Sequence, residues 1–319
     1  MNGAIRIGTS GWHYPTGAGT WNGPFYPKPR PKGFDELEWY SRYFDTVEIN
    51  STFYGQPRAA VAAAWAERTP PGFLFAAKLY QQFTHPRMFR ARVERELIRQ
   101  LGTTELPEEA IATLVRANQA DLDEFRRGIE PLATAGKLGP LLAQFPASFH
   151  DSPGSRVHLA ALLRAFHGHE LAVELRHKSW SDRAEETRTL LDAFGATWVW
   201  IDEPKFKDSV EQPVVSDGAF LYLRLHGRNA KAWWHHADRD ERYDYLYTED
   251  ELRPTAERLK TAVKGMLRGY AYLNNHPRAQ AVRNALQLRA LVGQPMEMPA
   301  KTMLTEKESG EPVRSPAKR

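Results

Sequence analysis

Cysteine is missing from all 319 residues. That excludes disulfides, thiolate-held metals, iron–sulfur clusters and a cysteine nucleophile, and it removes one signature of secreted domains. No apolar run approaches the ~18 residues that a membrane-spanning helix needs. An excess of one charge is also lacking. The 43 Lys and Arg stand against 39 Asp and Glu, a formal +4, too mild over this length to argue for a nucleic-acid partner. The opening Met1-Asn2-Gly3-Ala4-Ile5-Arg6 has neither the basic nor the apolar region of a signal peptide. A soluble, cytoplasmic protein with no membrane association is the expectation.

Familiar catalytic signatures are absent as well. Around Ser10 the second glycine comes one position too early for a nucleophile elbow, and Trp12 stands in its place. The glycines at 17, 19 and 23 lack dinucleotide-fingerprint spacing, and no Walker sequence occurs.

What is present is alternation. Short β-rich apolar runs fall at 5–9, 46–49, 73–78, 141–145, 171–175, 197–202, 219–225 and 269–273, with helical patterns between most of them, at 35–44, 58–68, 120–134, 156–166, 183–194, 249–267 and 278–292. Only the connection at 203–217 is too short and Pro-punctuated for a full helix. Eight strands alternating with helices predict a parallel sheet buried on both faces, and eight is the number that closes into a (β/α)8 TIM-type barrel. An open doubly wound sheet is the alternative. Residues 84–118 form an excursion with Arg90, Arg92, Glu94, Arg95, Glu96 and Arg99 at helical spacing, read as a solvated helical insertion in preference to a nucleic-acid-binding face. The tail 294–319, with no aromatic and four prolines, is expected to be disordered, leaving one domain over 1–293.

Polar residues collect at the carboxyl ends of these strands, where a parallel barrel has its mouth. Glu48 and Asn50, Glu174 and Arg176, and Arg224 and His226 are pairs two apart, so each pair shares a strand face. Trp12, Lys78, Gln144, Asp202 and Asn274 end other strands. Burying a carboxylate or guanidinium costs several kcal/mol, on the order of an unpaired buried ion, unless it is paired. Two readings follow: a salt-bridge network closing the barrel top, or a ligand site. As a site, Lys78, Arg176 and Arg224 would hold an anionic group, with Trp12, Asn50, Gln144 and Asn274 as further substrate contacts. Glu48 or Glu174 would serve as general base and His226 as acid. Glu48, Glu174, Asp202 and His226 are also oxygen and imidazole ligands suited to Mg, Mn or Zn, but the interleaved Lys78 and Arg176 repel a cation, so a divalent metal is not the favoured reading. Barrel glycosidases resemble one another in carrying carboxylates on strands four and seven, where Gln144 and Arg224/His226 stand here. His177 falls on the opposite face and reads as structural, as do Trp198 and Trp200 as core residues. The aromatics Trp12, Tyr14, Trp21, Trp233, Trp234, Tyr243, Tyr245 and Tyr247, with His235 and His236, rim the same mouth.

At these residues the chain resembles the domain of unknown function 72, or YecE-like, family. The motifs are Gly8-Thr9-Ser10-Gly11-Trp12 with Tyr14, Trp21-Asn22-Gly23, Phe25-Tyr26-Pro27 and Val47-Glu48-Ile49-Asn50-Ser51-Thr52-Phe53-Tyr54. Residues 73–78 with Thr84-His85, Gln144-Phe145-Pro146, Glu174-Leu175-Arg176-His177 with Ser179-Trp180, and Arg224-Leu225-His226-Gly227 continue it. Asn274-Asn275 and Asn284-Ala285 close it; Ala279 stands where the pattern leads one to expect glycine. The resemblance spans residues 5 to about 292, implies a TIM-type barrel, and implies no particular reaction. Three functions remain open: an enzyme acting on a small polar or anionic, phosphorylated or sugar-like substrate; a nucleic-acid-binding or -processing protein; and a non-catalytic ligand-binding barrel.

Overall fold

The computed structural model describes residues 4–102, 105–212, 219–234, 238, 240–264 and 268–296. The β-rich runs become strands β1 (Ala4–Thr9), β2 (Thr46–Ile49), β3 (Leu74–Lys78), β4 (Leu138–Gln144), β5 (Leu171–Glu174), β6 (Ala196–Trp198), β7 (Trp200–Asp202), β8 (Leu221–Leu225) and β9 (Arg268–Leu273). All pairings between them are parallel. The chain is therefore a mixed α/β protein, but the strands fall into two parallel sheets in place of the expected ring of eight: β1-β9-β8-β7 and β2-β3-β4-β5-β6.

Two local causes separate the sheets. The expected sixth strand is interrupted at Val199, so that β6 pairs with β5 while β7 pairs with β8. At the break the Gln212 side chain takes over ladder positions, accepting from Ile201 N and donating to Val199 O. β1 and β2 are hydrogen-bonded at their carboxyl ends, through a parallel bridge between Ser10 and Glu48, with Gly11 N donating to Glu48 O at 2.8 Å. The approach is close: a Cβ on Gly8 would lie 2.2 Å from the Thr46 carbonyl oxygen.

Helices Ala59–Glu67, Gln119–Thr134, Pro153–Ala165, Ala184–Asp192 and Glu249–Ala262 lie between strands, and Gln280–Leu291 after the last one, where the spacing placed them. Their ends follow capping chemistry. Asn118 with Asp121 and Thr248 with Glu251 form reciprocal capping boxes. The insertion is helical over Pro86–Leu101 and Glu108–Val115, and the connection after Asp202 holds no helix among its described residues. The expected disorder of the tail lies outside the described residues beyond 296, whereas Gln294 itself donates to Ile5 O. One apolar cluster joins both sheets and runs from Ile7 and Val47 through Phe75, Leu141 and Val173 to Leu223, Tyr272 and Leu288. Each such fully buried side chain contributes roughly 1.5–3 kcal/mol of transfer free energy.

Candidate functional site

Strand alternation delivers the charged pairs to one layer. Glu48 of β2 accepts from Arg224 of β8 twice, Nε to Oε2 at 3.0 Å and an Nη to Oε1 at 2.8 Å, and also from Ser10 Oγ at 2.8 Å and Tyr222 OH at 2.7 Å. Glu174 of β5 accepts from the other Arg224 Nη at 2.5 Å and from Arg176 Nε at 2.6 Å. Glu48, Glu174 and Arg224 are fully buried. Fork-to-carboxylate pairing of this kind is what makes burying the charges tolerable. Burial alone would push the Glu174 carboxyl up, but Arg176 and then Arg224 outweigh it and hold Glu174 well below the usual carboxylate range. Arg176 extends the network to Glu203 at 3.4 Å, whose own carboxyl is raised by burial.

His226 sits in the same layer. One Arg176 Nη lies 3.1 Å from its Nε2, and the Asn274 side-chain amide lies 3.0 Å from its Nδ1. Glu174 Oε1 is 3.6 Å away, beyond hydrogen-bond reach. Burial first, then Arg176 and Arg224, push the imidazole down to about 3, so the ring is neutral at pH 7.

Above this layer opens a cavity of about 580 Å³. Trp12, Asn50, Lys78, Gln144, Arg224 and Asn274 line it; Glu48, Glu174, Arg176 and His226 are not on its wall, though Arg224 and Asn274 link three of them to it. Lys78 Nζ donates to Gln144 Oε1 at 2.6 Å and lies 4.0 Å from the Phe53 ring centre. Burial, then Arg224, lower this amine to about 7.

Other sequence expectations divide. Tyr14 and Tyr243 line the cavity. Trp21 is buried against Tyr14, 4.8 Å between ring centres, and donates to His276 O. Tyr247 OH is turned to Asp202. Asp202 does not join the layer: it binds Arg228 and borders a second cavity of about 800 Å³, together with Trp200. Trp200 is half-buried under Arg258 and is not a core residue like Trp198. His177 caps the helix Lys178–Asp182 and stacks on His150. His235 and His236 lie outside the described residues. Among the described residues no three His, Asp or Glu are grouped to hold a metal. The lone pairs of Glu48 and Glu174 are directed at guanidiniums and hydroxyls.

Within the insertion Arg90 pairs with Glu94 and Glu108 and Arg99 with Glu96, while Arg92 reaches back to Tyr54 O and Tyr80 OH. The Arg90–Glu94 and Arg99–Glu96 pairs are of the i,i+4 and i,i+3 kind found on exposed helix faces.

His276, Asp240 and Arg242 also line the cavity and were not legible in the sequence. His276 Nε2 lies 3.1 Å from Asp240 Oδ1, and its ring stacks on Tyr14 at 4.6 Å. The only available signal was position, two residues beyond Asn274. The closing asparagines hold the loop that carries Tyr243. Asn284 accepts from Tyr247 N and donates to Tyr247 O, and Asn275 donates to Tyr245 O. Next to them Arg278 and Ala279 adopt left-handed backbone, φ 53° and 58°.

Parallel strands bearing a buried charged layer beneath a cavity define an α/β protein with a ligand-sized mouth at one end. The chain belongs to the family described as "Protein of unknown function DUF72", whose model matches residues 6–308. It is similar to the UPF0759 protein YunF of Bacillus subtilis, 25% identical over 301 residues, 90% of this chain and 94% of that one. The UPF0759 protein YecE of Escherichia coli K12 is 28% identical over 168 residues, 52% of this chain and 50% of that one. Among solved structures, a DUF72 family protein from Thermotoga maritima is 32% identical with a TM-score of 0.68, covering 90% of this chain and 98% of that one. A DUF72 family protein from Enterococcus faecalis shares the fold at a TM-score of 0.71 and 22% identity, covering 92% and 97%. Among the described residues no helix is long and apolar enough to cross a membrane.

Proposed function

We propose that the two sheets are the halves of one (β/α)8 barrel domain, whose mouth binds a small anionic, polar molecule and acts on it as an enzyme. Closure is supported by the Ser10–Glu48 bridge on one side. On the other side Val199 N donates to Val173 O where β6 passes into β7. The observation that carries the ligand class is the charge of the wall. Arg68, Lys78, Arg224 and Arg242 line the cavity against a single carboxylate among the described residues, Asp240, with Arg68 paired to Asp35 at 2.6 Å. Arg224 is neutralised from below by Glu48 and Glu174. Lys78, lowered to about 7, has no carboxylate within ion-pair distance among the described residues, so a bound anion would draw it to its charged form. Trp12, Tyr14, Tyr54 and Tyr243 give aromatic wall for a sugar-like or carboxylate-bearing body.

Roles within the site shift accordingly. Glu174 spends both oxygens on arginines and is held ionised far below neutrality, which makes it a weak base. A neutral His226 has no extra proton to give as an acid. Lys78 is the group best placed to meet the substrate.

The test is thermal denaturation with inorganic phosphate, citrate and glucose 6-phosphate, each beside glucose. Anions are expected to raise the melting temperature saturably, and Lys78→Met to remove that rise. Stabilisation by glucose and none by the three anions would overturn the reading.

A further inference from the structure

We infer that Lys78 is a nucleophilic amine that condenses with an aldehyde or ketone carrying an anionic group and holds it in the mouth as an imine. The inference rests on the anionic-ligand reading above and adds the reacting group and the substrate's functional group.

Two buried lysines in this chain make the argument by contrast. Lys137, at the amino end of β4, donates to Ala66 O, Thr69 O and Thr69 Oγ1, so all three of its ammonium protons have oxygen partners. Burial lowers this amine too, but a full set of oxygen partners is what favours the ammonium in such a place. Among the described residues Lys78, at the carboxyl end of β3, meets one oxygen, that of Gln144, and the face of Phe53. A single acceptor suits a neutral amine, which donates one proton to Gln144 and keeps a lone pair for a reacting carbon. Burial is the main cause that disfavours a charged amine here; Arg224 and, more weakly, Arg176 act the same way, against the opposing pull of Glu174 and Glu48. Lys78 is otherwise buried but lines the 580 Å³ cavity, the side from which a ligand can reach it. A desolvated lysine beside cationic groups is the usual setting for a carbonyl-condensing amine.

The chemistry balances without a further reactant. The Nζ lone pair attacks the carbonyl carbon and forms a C–N bond, and the carbonyl oxygen takes one N–H proton to give the carbinolamine. Loss of that hydroxyl with the second N–H proton releases water and leaves C=N. The guanidinium of Arg242 on the cavity wall is placed to take the substrate's phosphate or carboxylate.

The experiment incubates the full chain with glyceraldehyde 3-phosphate and sodium cyanoborohydride at pH 7, with uncharged glyceraldehyde in parallel, and maps the reduced adducts by peptide mass. At that pH an amine lowered to about 7 is half neutral, against about 0.03% for an ordinary lysine near 10.5. Lys78 is expected to be labelled at least ~10-fold faster than every other lysine, Lys137 included, and faster by glyceraldehyde 3-phosphate than by glyceraldehyde. Lys78→Met, verified as folded by circular dichroism, should lose that adduct and keep the slow labelling elsewhere. Labelling that follows surface exposure and spares Lys78 overturns the imine. If phosphate still raises the melting temperature in that case, the anionic-ligand reading survives alone. Equal labelling of Lys78 by both aldehydes, with no phosphate-induced shift, supports the amine and overturns the anion.

Discussion

Glu174 shows how a residue's neighbours decide its role. The spacing of Glu174 and Arg176 brought them to one strand face, as expected, but position alone did not reveal that Arg224 would claim the second oxygen. Glu174→Gln leaves buried Arg224 with Glu48 alone and Arg176 with only Glu203 at 3.4 Å, and is expected to cost about 3–5 kcal/mol, the range for breaking a buried ion pair. Urea denaturation at pH 7 measures it. The pH dependence carries a sign. The folded-state carboxyl lies below its ordinary value of 4.5, so its stabilisation is complete above that pH and is lost as pH falls toward the folded value. The gap between wild type and variant should therefore narrow as pH falls below 4.5 toward the folded value. A near-normal midpoint at pH 7 would show that Glu174 is not part of the network that holds this layer together.

At the scale of elements, the strands and most helices were legible because their periods and boundaries are local properties. The face of a strand was legible only where polar residues broke the apolar run, as at Glu48/Asn50 and Arg224/His226. Trp200 and Asp202 share a face, yet a buried parallel strand is apolar on both sides and gives its phase away poorly. Asp202 was therefore grouped with the mouth, although it lies against Arg228 and Tyr247. Loops carry no period, which is why His276, Asp240 and Arg242 escaped notice. The one loop irregularity that the sequence did expose is Ala279, where glycine was expected. Its φ of 58° lies in the left-handed region that glycine enters without steric cost. Ala279→Gly is expected to stabilise the fold by about 1 kcal/mol, the scale of left-handed strain at a non-glycine residue, less some gained freedom in the unfolded chain. A lowered urea midpoint in this variant would mean that the Ala279 methyl, buried in the core cluster, contributes more by packing than the backbone loses.

For the whole molecule, the question is whether two sheets behave as one body. Arg224 belongs to β8 in the four-stranded sheet, while Glu48 and Glu174 belong to β2 and β5 in the five-stranded one. Thr46 and Tyr272 also join the sheets through their hydroxyls at 2.7 Å, and Tyr222 reaches across to Glu48. If either sheet opened alone, it would strand these groups in a dry interior, at several kcal/mol for an unpaired buried ion. The apolar cluster spans the same boundary. Unfolding is therefore expected to be a single transition, with far-ultraviolet and near-ultraviolet circular dichroism coinciding along the urea axis. The tyrosines and tryptophans of both sheets should report the same midpoint as the backbone. Glu174→Gln should move the two signals together, because it weakens the link without giving either sheet a core of its own. Two separated midpoints in the wild type would show that the Ser10–Glu48 seam and the Arg224 network are too weak to couple the sheets. In the variant alone, the same separation would identify the buried charges, and not the apolar cluster, as the coupling element.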